Sequence, residues 1–171
     1  MGQLTEIGCI EVRLHGDTAL MSTFAEVIVL ALDADKVMEP LTRGDEERTW
    51  KGVFVPIQSQ WVGSFGIGWA TEFEKMRTRS GLLKHLESLP WPRPESVQVL
   101  IHDQDDECFG LWMLHDGKLV EIALPRTQRF HNPGPPDHDC PPCPGYLLRT
   151  DQGRTLPEQT PEELRDQRPA W

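Results

Sequence analysis

The chain has 171 residues, with 27 acidic and 17 basic side chains and a formal charge of −10 at pH 7. This length predicts one folded unit with irregular sequence appended, and we assign residues 5–148 to a single α+β domain and residues 149–171 to a polar, largely irregular tail. The acidic balance argues against binding to nucleic acid, which needs clustered lysine and arginine, and it favours a basic protein partner.

The apolar runs are short, and the longest, residues 27–32, is far below the roughly 20 residues of a membrane-spanning helix. The first residues do not show the ordered basic, apolar and cleavage regions of a secretory signal. The cysteines (Cys9, Cys108, Cys140 and Cys143) are too irregularly spaced for a disulfide framework. We therefore expect a cytoplasmic protein that does not contact a membrane.

The first third of the chain predicts two or three strands. Residues 1–14 alternate apolar and polar side chains, as in a half-buried strand. Residues 18–35 fit either a helical stripe or a strand, and we favour the strand because Val and Ile cluster at positions 27–29. Residues 36–48 are charged and predict a loop. Residues 50–58 predict another strand, which Pro56 ends or places at a sheet edge, because proline cannot donate to the ladder.

Residues 60–69, QWVGSFGIGW, interleave glycines with Trp61, Phe65 and Trp69. The spacing matches neither a dinucleotide-binding nor a phosphate-binding loop. The glycines allow tight turns while the aromatic rings anchor the loop to the core. Because recognition often uses loops held on a rigid scaffold, we also keep these three aromatic residues as candidates for partner binding.

The next segment predicts helices. Thr71 has the features of an N-cap, with Glu72 in the first turn. After Ser80, four leucines recur at helical spacing until Pro90 ends the pattern. We expect this second helix to dock on the apolar face of the strands that follow, with His85 exposed to solvent.

Residues 96–124 predict a three-stranded meander. Asp116 and Gly117 suit a two-residue type I′ turn, which pairs His115 with Lys118 and Leu111 with Ile122.

The preceding turn, an acidic loop at residues 103–107, is expected to pair His102 with Cys108, and so Val99 with Leu111. Aspartate favours turns, so we interpret this loop as a hairpin connection and not as a cation site. With this register one face of the meander is entirely apolar and is predicted to be core. That face contains Val97, Val99, Ile101, Phe109, Leu111, Met113, Val120, Ile122 and Leu124.

The other face of the predicted meander is mixed, with Trp112 at its middle. One interpretation is a sheet side covered by another segment of the chain, with Trp112 buried beneath it. The other is a partner-binding surface in which Gln98, His102 and Glu121 surround Trp112.

The Pro-rich stretch after residue 125 contains the spacing His131-x6-His138-x-Cys140-x2-Cys143. Short Cys and His spacings are typical of zinc sites, so we predict possible zinc ligation by these four residues. Prolines at both positions between the cysteines remove backbone N–H groups that usually support the thiolates. A redox pair and two reduced cysteines in a surface loop remain as alternatives.

Together these elements predict an α+β fold with a mostly antiparallel sheet, one or two helices behind the meander, and an irregular Pro-rich C-terminal extension. We expect Tyr146 to Leu148 to add a short edge strand. The order of a short amphipathic helix followed by a meander, in a small acidic protein, resembles bacterial immunity proteins that neutralise toxins. The resemblance implies an inhibitory protein that binds a protein partner.

The leading hypothesis is therefore a non-enzymatic binding or inhibitory protein, since no nucleophile elbow or spaced carboxylate pair predicts a catalytic residue. The competing hypothesis is a zinc-binding protein or enzyme that uses the His131, His138, Cys140 and Cys143 cluster.

Overall fold

The structure is a computed structural model, and it describes residues 24–58, 67–131, 145–165 and 171. These ranges form an α+β fold with an antiparallel six-stranded sheet, a separate two-stranded sheet and short helices. The predicted fold class is confirmed. The predicted strand in residues 1–14 lies outside the described residues. Within the described ranges, no helix has the length and apolar character needed to cross a membrane.

The main sheet has the strand order β2-β3-β1-β4-β5-β6, and β7 pairs with β8 in the second sheet. The strands are β1 (Ala25–Leu30), β2 (Val55–Pro56), β3 (Gly68–Phe73), β4 (Gln98–Asp103), β5 (Gly110–His115), β6 (Lys118–Ile122), β7 (Thr127–Phe130) and β8 (Tyr146–Arg149). The α-helices are α1 (Asp35–Met38), α2 (Met76–Arg79) and α3 (Leu82–Ser88), and 3₁₀-helices span Glu39–Thr42, Pro94–Ser96 and Glu162–Leu164.

Strand β1 lies near the middle of the main sheet, between β3 and β4. Its side chains alternate, with Ala25, Val27 and Val29 buried and the intervening residues more exposed. The strand interpretation of this segment is confirmed. At the sheet edge, β2 ends at Pro56, as the missing N–H of proline predicted.

Strand β3 replaces the helix predicted from Thr71. The side chains of Trp69, Thr71 and Phe73 are buried while Glu72 is exposed, which is the two-residue period of a strand. This period, together with pairing to β1, outweighs the local capping pattern. The helix prediction for this stretch was therefore wrong, and the first helix after β3 is α2.

The predicted leucine-rich helix is confirmed as α3, with Leu82 and Leu86 fully buried. At its C-terminal end, the indole N–H of Trp91 donates a hydrogen bond to the carbonyl oxygen of Leu86 over 2.7 Å. The prediction that His85 is solvent-exposed was wrong. The His85 side chain is half-buried, and its ring meets the Trp50 ring edge-on with centroids 5.7 Å apart.

The β5–β6 hairpin has the predicted register, with His115 opposite Lys118. Asp116 and Gly117 have φ angles of 48° and 74°, as a type I′ turn requires. The backbone preference of these two turn residues therefore predicted the pairing correctly.

The β4–β5 pairing differs from the prediction by one residue, since Val99 lies opposite Trp112 and not opposite Leu111. The reason is that Asp103 belongs to β4 and points into the core, where its Oδ2 lies 2.6 Å from an Nη2 atom of Arg79. The connecting loop spans residues 104–109 instead of the predicted 103–107.

Because a shift of one residue exchanges the two faces of a strand, only three of the nine residues predicted for the core face are buried there. Phe109 and Leu124 are half-buried and do not belong to the hydrophobic cluster. Val99 and Ile101 of β4 share the buried face with Trp112, and Val97, just before β4, is also buried. The residues of β5 and β6 that were predicted to join them lie on the other face: Leu111, Met113, Val120 and Ile122.

The buried face of the main sheet is called the inner face here, and the described helices contribute to the hydrophobic cluster on it. Met38, Leu41, Leu82 and Leu86 belong to the same cluster as the inner-face residues of β1 and β4. Trp171 also joins this cluster, and the Arg79 guanidinium lies 4.1 Å from the centre of its ring.

The residues from Tyr146 to Leu148 form part of a strand, as predicted, but this strand pairs with β7 in the second sheet instead of the main one. Farther along the chain, a single 3₁₀ turn spans Glu162–Leu164.

Candidate functional site

The face of the main sheet opposite the inner face is called the outer face here. Its side chains are half-buried or exposed, and the hydrophobic cluster includes none of them. The strand registers arrange these side chains in rows that run across the strands, because directly paired residues point to the same side.

The middle of the outer face is a continuous apolar row that crosses all six strands. Each member lies directly opposite the next on the neighbouring strand. The exposed fraction is 62% for Val55 at one end and 38% for Ile122 at the other. The apolar row consists of Val55, Ala70, Ile28, Leu100, Leu111 and Ile122.

An acidic row lies one step along the strands, beside the apolar row. It consists of Glu72 on β3, Glu26 on β1 and His102 on β4, with each residue directly opposite the next. Two carboxylates that face each other on neighbouring strands repel, which is unfavourable for the sheet. Among the described residues, no ion pair or side-chain hydrogen bond is seen for Glu72. On the other side of the apolar row lie Leu30, Gln98, Met113 and Val120, again in register.

His102 is held at both ring nitrogens. Its Nδ1 lies 3.3 Å from an oxygen of Glu26, and its Nε2 lies 3.0 Å from the carbonyl oxygen of Asp106. The ring stacks on Phe109 with centroids 5.1 Å apart. These contacts orient His102 at the border of the outer face, so its geometry is that of a positioned surface residue.

Trp112 and Glu121 are direct neighbours across β5 and β6, as predicted, but they lie on the inner face. Gln98 and His102 lie on the outer face. The prediction that these four residues share one surface was therefore wrong, because the β4 register is shifted.

Trp112 is only 7% exposed, and its ring packs over Gly110, where a Cβ atom would approach the ring to 2.8 Å. The guanidinium of Arg129 lies 5.4 Å from the ring centre, and its Nε donates to both carboxylate oxygens of Glu121 at 2.8 and 3.0 Å. This is the environment of a covered side chain, in which Arg129 of the second sheet forms part of the cover.

The acidic loop after β4 binds the second sheet. The carboxylate of Asp106 accepts hydrogen bonds from the backbone N–H of Leu147 at 2.6 Å and of Asp103 at 3.0 Å. Burial raises the pKa of the Asp106 carboxyl, and the positive charge of Arg129 opposes that shift. Glu107 accepts from the backbone N–H of Arg149 at 2.6 Å, which lowers the pKa of its carboxyl. Two carboxylates of this loop therefore fix strand β8.

Of the three aromatic residues predicted to bind a partner through the glycine-rich loop, Trp61 and Phe65 lie outside the described residues. Trp69 is 3% exposed and belongs to the hydrophobic cluster. One side of it borders a shallow depression of about 350 Å³, which is also lined by Asp35, Lys36, Glu39, Thr42 and Pro56. Acidic and basic side chains both line this depression, so its charge does not indicate one class of ligand.

The predicted zinc ligands His138, Cys140 and Cys143 lie outside the described residues, so the zinc site stays a prediction. The fourth, His131, is half-buried, and burial together with the positive charges of Arg165 and Arg129 lowers its pKa. In the part of the chain that the structure describes, no group of three or more Cys, His, Asp or Glu side chains is placed to hold a metal ion.

The outer-face residues missed by the sequence-based reasoning are Glu26, Glu72, Leu100 and Leu111. The first two alternate with buried residues in β1 and β3, so a correct strand assignment for β3 would have placed them side by side. Leu100 lies on the same face as Gln98 and His102 by alternation along β4, and only the position of Leu111 opposite it required the true β4–β5 register.

Comparison of the chain with protein-family models, with curated proteins and with solved structures gives no match in any of the three.

Proposed function

We propose that the protein is a non-enzymatic binding protein whose outer face contacts a protein partner. The observation that carries this proposal is the apolar row, which crosses six strands and ends in side chains that are 62% and 38% exposed. Exposed apolar patches of this kind are typical of interaction sites. The inhibitory action implied by the likeness to immunity proteins would be one form of this function.

The environments of the cysteine, histidine and acidic side chains that could act in catalysis favour a binding role over an enzymatic one. Cys108 is half-buried, and burial together with the negative charge of Asp106 raises the pKa of its thiol, which disfavours the reactive thiolate. His102 is engaged at both ring nitrogens. Asp106 and Glu107 are occupied by backbone N–H groups of β8.

The proposal is tested by photo-crosslinking in the native host, with a benzophenone amino acid at Val120 on the outer face, which is 45% exposed. We expect a specific crosslinked protein that is lost when Ile122→Glu places a charge in the apolar row. The matched control is Leu164→Glu, because Leu164 is a 58% exposed leucine outside the sheet. Loss of the crosslink in both variants, or in neither, would contradict the proposal.

A second candidate is zinc binding by His131, His138, Cys140 and Cys143. The observation that favours it is the short spacing of these Cys and His residues in the sequence, His131-x6-His138-x-Cys140-x2-Cys143. Metal analysis of protein purified without a histidine tag checks it. One zinc per chain that disappears in Cys140→Ser would support this candidate, and metal-free protein would eliminate it.

A further inference from the structure

We infer that the partner presents an amphipathic α-helix with lysine or arginine along one flank, whose apolar stripe packs on the apolar row while its basic flank reaches the acidic row. This inference rests on the proposed function and specifies the kind of partner segment that the outer face accepts. The apolar row, the acidic row and the state of the sheet edges each support it.

The edges of the main sheet disfavour a partner that adds a strand. At β6, the Glu87 carboxylate of α3 accepts a hydrogen bond from the backbone N–H of Leu119 at 2.9 Å and lies 3.4 Å from the Lys118 ammonium. At the other edge, β2 has only two residues and ends at a proline. A peptide that adds a strand would have to displace the Glu87 contact at β6 or pair beside a strand of two residues, so the broad face is the favoured contact surface.

The dimensions of the outer face suit a helix. Six strands spaced about 4.8 Å apart span about 24 Å, and a six-residue strand is about 20 Å long. A helix rises 1.5 Å per residue, so about 13–16 residues cross the face in either direction. Such a helix presents an apolar stripe with about three to four residues in every two turns, and this stripe can lie along one row of paired side chains.

The negative charge of the acidic row favours a partner helix with a basic flank. Glu26 and Glu72 face each other directly, and the side chain of Glu26 is 54% exposed. A cation placed between them would relieve the repulsion of the two carboxylates and pair with both. The formal charge of −10 on the whole chain favours the approach of the same basic partner.

Other occupants of the outer face fit its charge less well. A second copy of the chain would bring another Glu26 and Glu72 into the interface. An anionic membrane would be repelled by the same carboxylates. The chain's own residues 1–14 carry Glu6 and Glu11 against a single arginine, so this segment does not offer a basic flank.

The direct test uses the full chain and a fluorescent 16-residue designed helix with a leucine stripe and a lysine flank, followed by fluorescence anisotropy. The comparison peptide carries glutamate at the lysine positions. We expect the lysine peptide to bind more tightly, with an affinity that falls as salt is added. The double variant Glu26→Gln/Glu72→Gln should weaken its binding about threefold to tenfold, as expected for two partly exposed ion pairs.

The matched control is Glu46→Gln/Glu47→Gln, which removes the same charge from an exposed loop outside the sheet. Equal weakening by both double variants, or equal binding of both peptides, would overturn the inference. The proposed function is judged separately by the Val120 crosslink, which could persist with a partner that is not a basic helix.

Three further results would also overturn it. One is a dimer in sedimentation analysis that dissociates on Ile122→Glu. Another is co-sedimentation with phosphatidylserine vesicles that is lost in the same variant. The third is a disulfide between Cys9 and a cysteine introduced by Met113→Cys, which would show that the chain covers its own outer face. A monomer with free Cys9 that stays in solution supports the inference.

Discussion

The two faces of the main sheet are built from alternate residues of the same strands, yet their charged side chains differ in burial and pairing. On the inner face, the carboxylate of Asp103 is buried and paired with the fully buried Arg79. On the outer face, Glu26 and Glu72 face each other beside apolar side chains. Buried charges persist only when they are paired, whereas two facing carboxylates are tolerated where solvent or a partner reaches them. The inner face therefore stabilises the fold, and the outer face is open to another role.

The largest expected contrast is between neighbours on β5 that point to opposite faces. Trp112→Ala should lower the free energy of unfolding by about 3–5 kcal/mol, because it empties a covered inner-face position. Leu111→Ala should lower it by about 1 kcal/mol, because Leu111 is half-buried on the outer face. Urea denaturation of both variants measures the difference. Equal losses would show that the outer face is covered as completely as the inner one.

A smaller effect should appear in the pH dependence of the free energy of unfolding, through His85. Burial, and then the positive charge of Arg48, lower the pKa of His85 in the folded protein below its usual value of 6.5. The unfolded chain therefore takes up this proton first, so the stability contributed by neutral His85 is present above pH 6.5 and is lost as the pH falls through the folded-state pKa. His85→Gln should flatten the fall in unfolding free energy between pH 7.5 and 5.

The matched control for this pH effect is His115→Gln, since the His115 side chain is 80% exposed beside the hairpin turn. Urea unfolding at both ends of the pH range should give the same decline for this variant as for the original chain. A decline unchanged by His85→Gln would mean that other titrating groups account for the acid sensitivity.

Elements specified by local chemistry were predictable from the sequence. The β5–β6 register follows from two residues whose backbone must adopt positive φ, and α3 follows from the spacing of its leucines. The edge position of β2 follows from the missing N–H of Pro56.

Elements specified by distant partners were not predictable in the same way. The β4–β5 register depends on Arg79, which draws Asp103 inward, and on the backbone of β8, which engages Asp106. Strand β3 depends on pairing with β1. The predicted pairing of Trp112 with Glu121 was correct, but their grouping on one face with His102 was wrong, because it depended on the β4–β5 register.

The contact of Glu87 with the β6 edge has a consequence for self-assembly. A sheet edge with free N–H groups is a template on which identical chains can stack into fibrils. The Glu87 carboxylate accepts a hydrogen bond from the Leu119 N–H and lies beside Lys118, so it interrupts that template. The interruption lies next to the exposed apolar side chains of Val120 and Ile122. The Glu87 side chain thus removes one of the backbone groups through which β6 could pair with the edge of another chain.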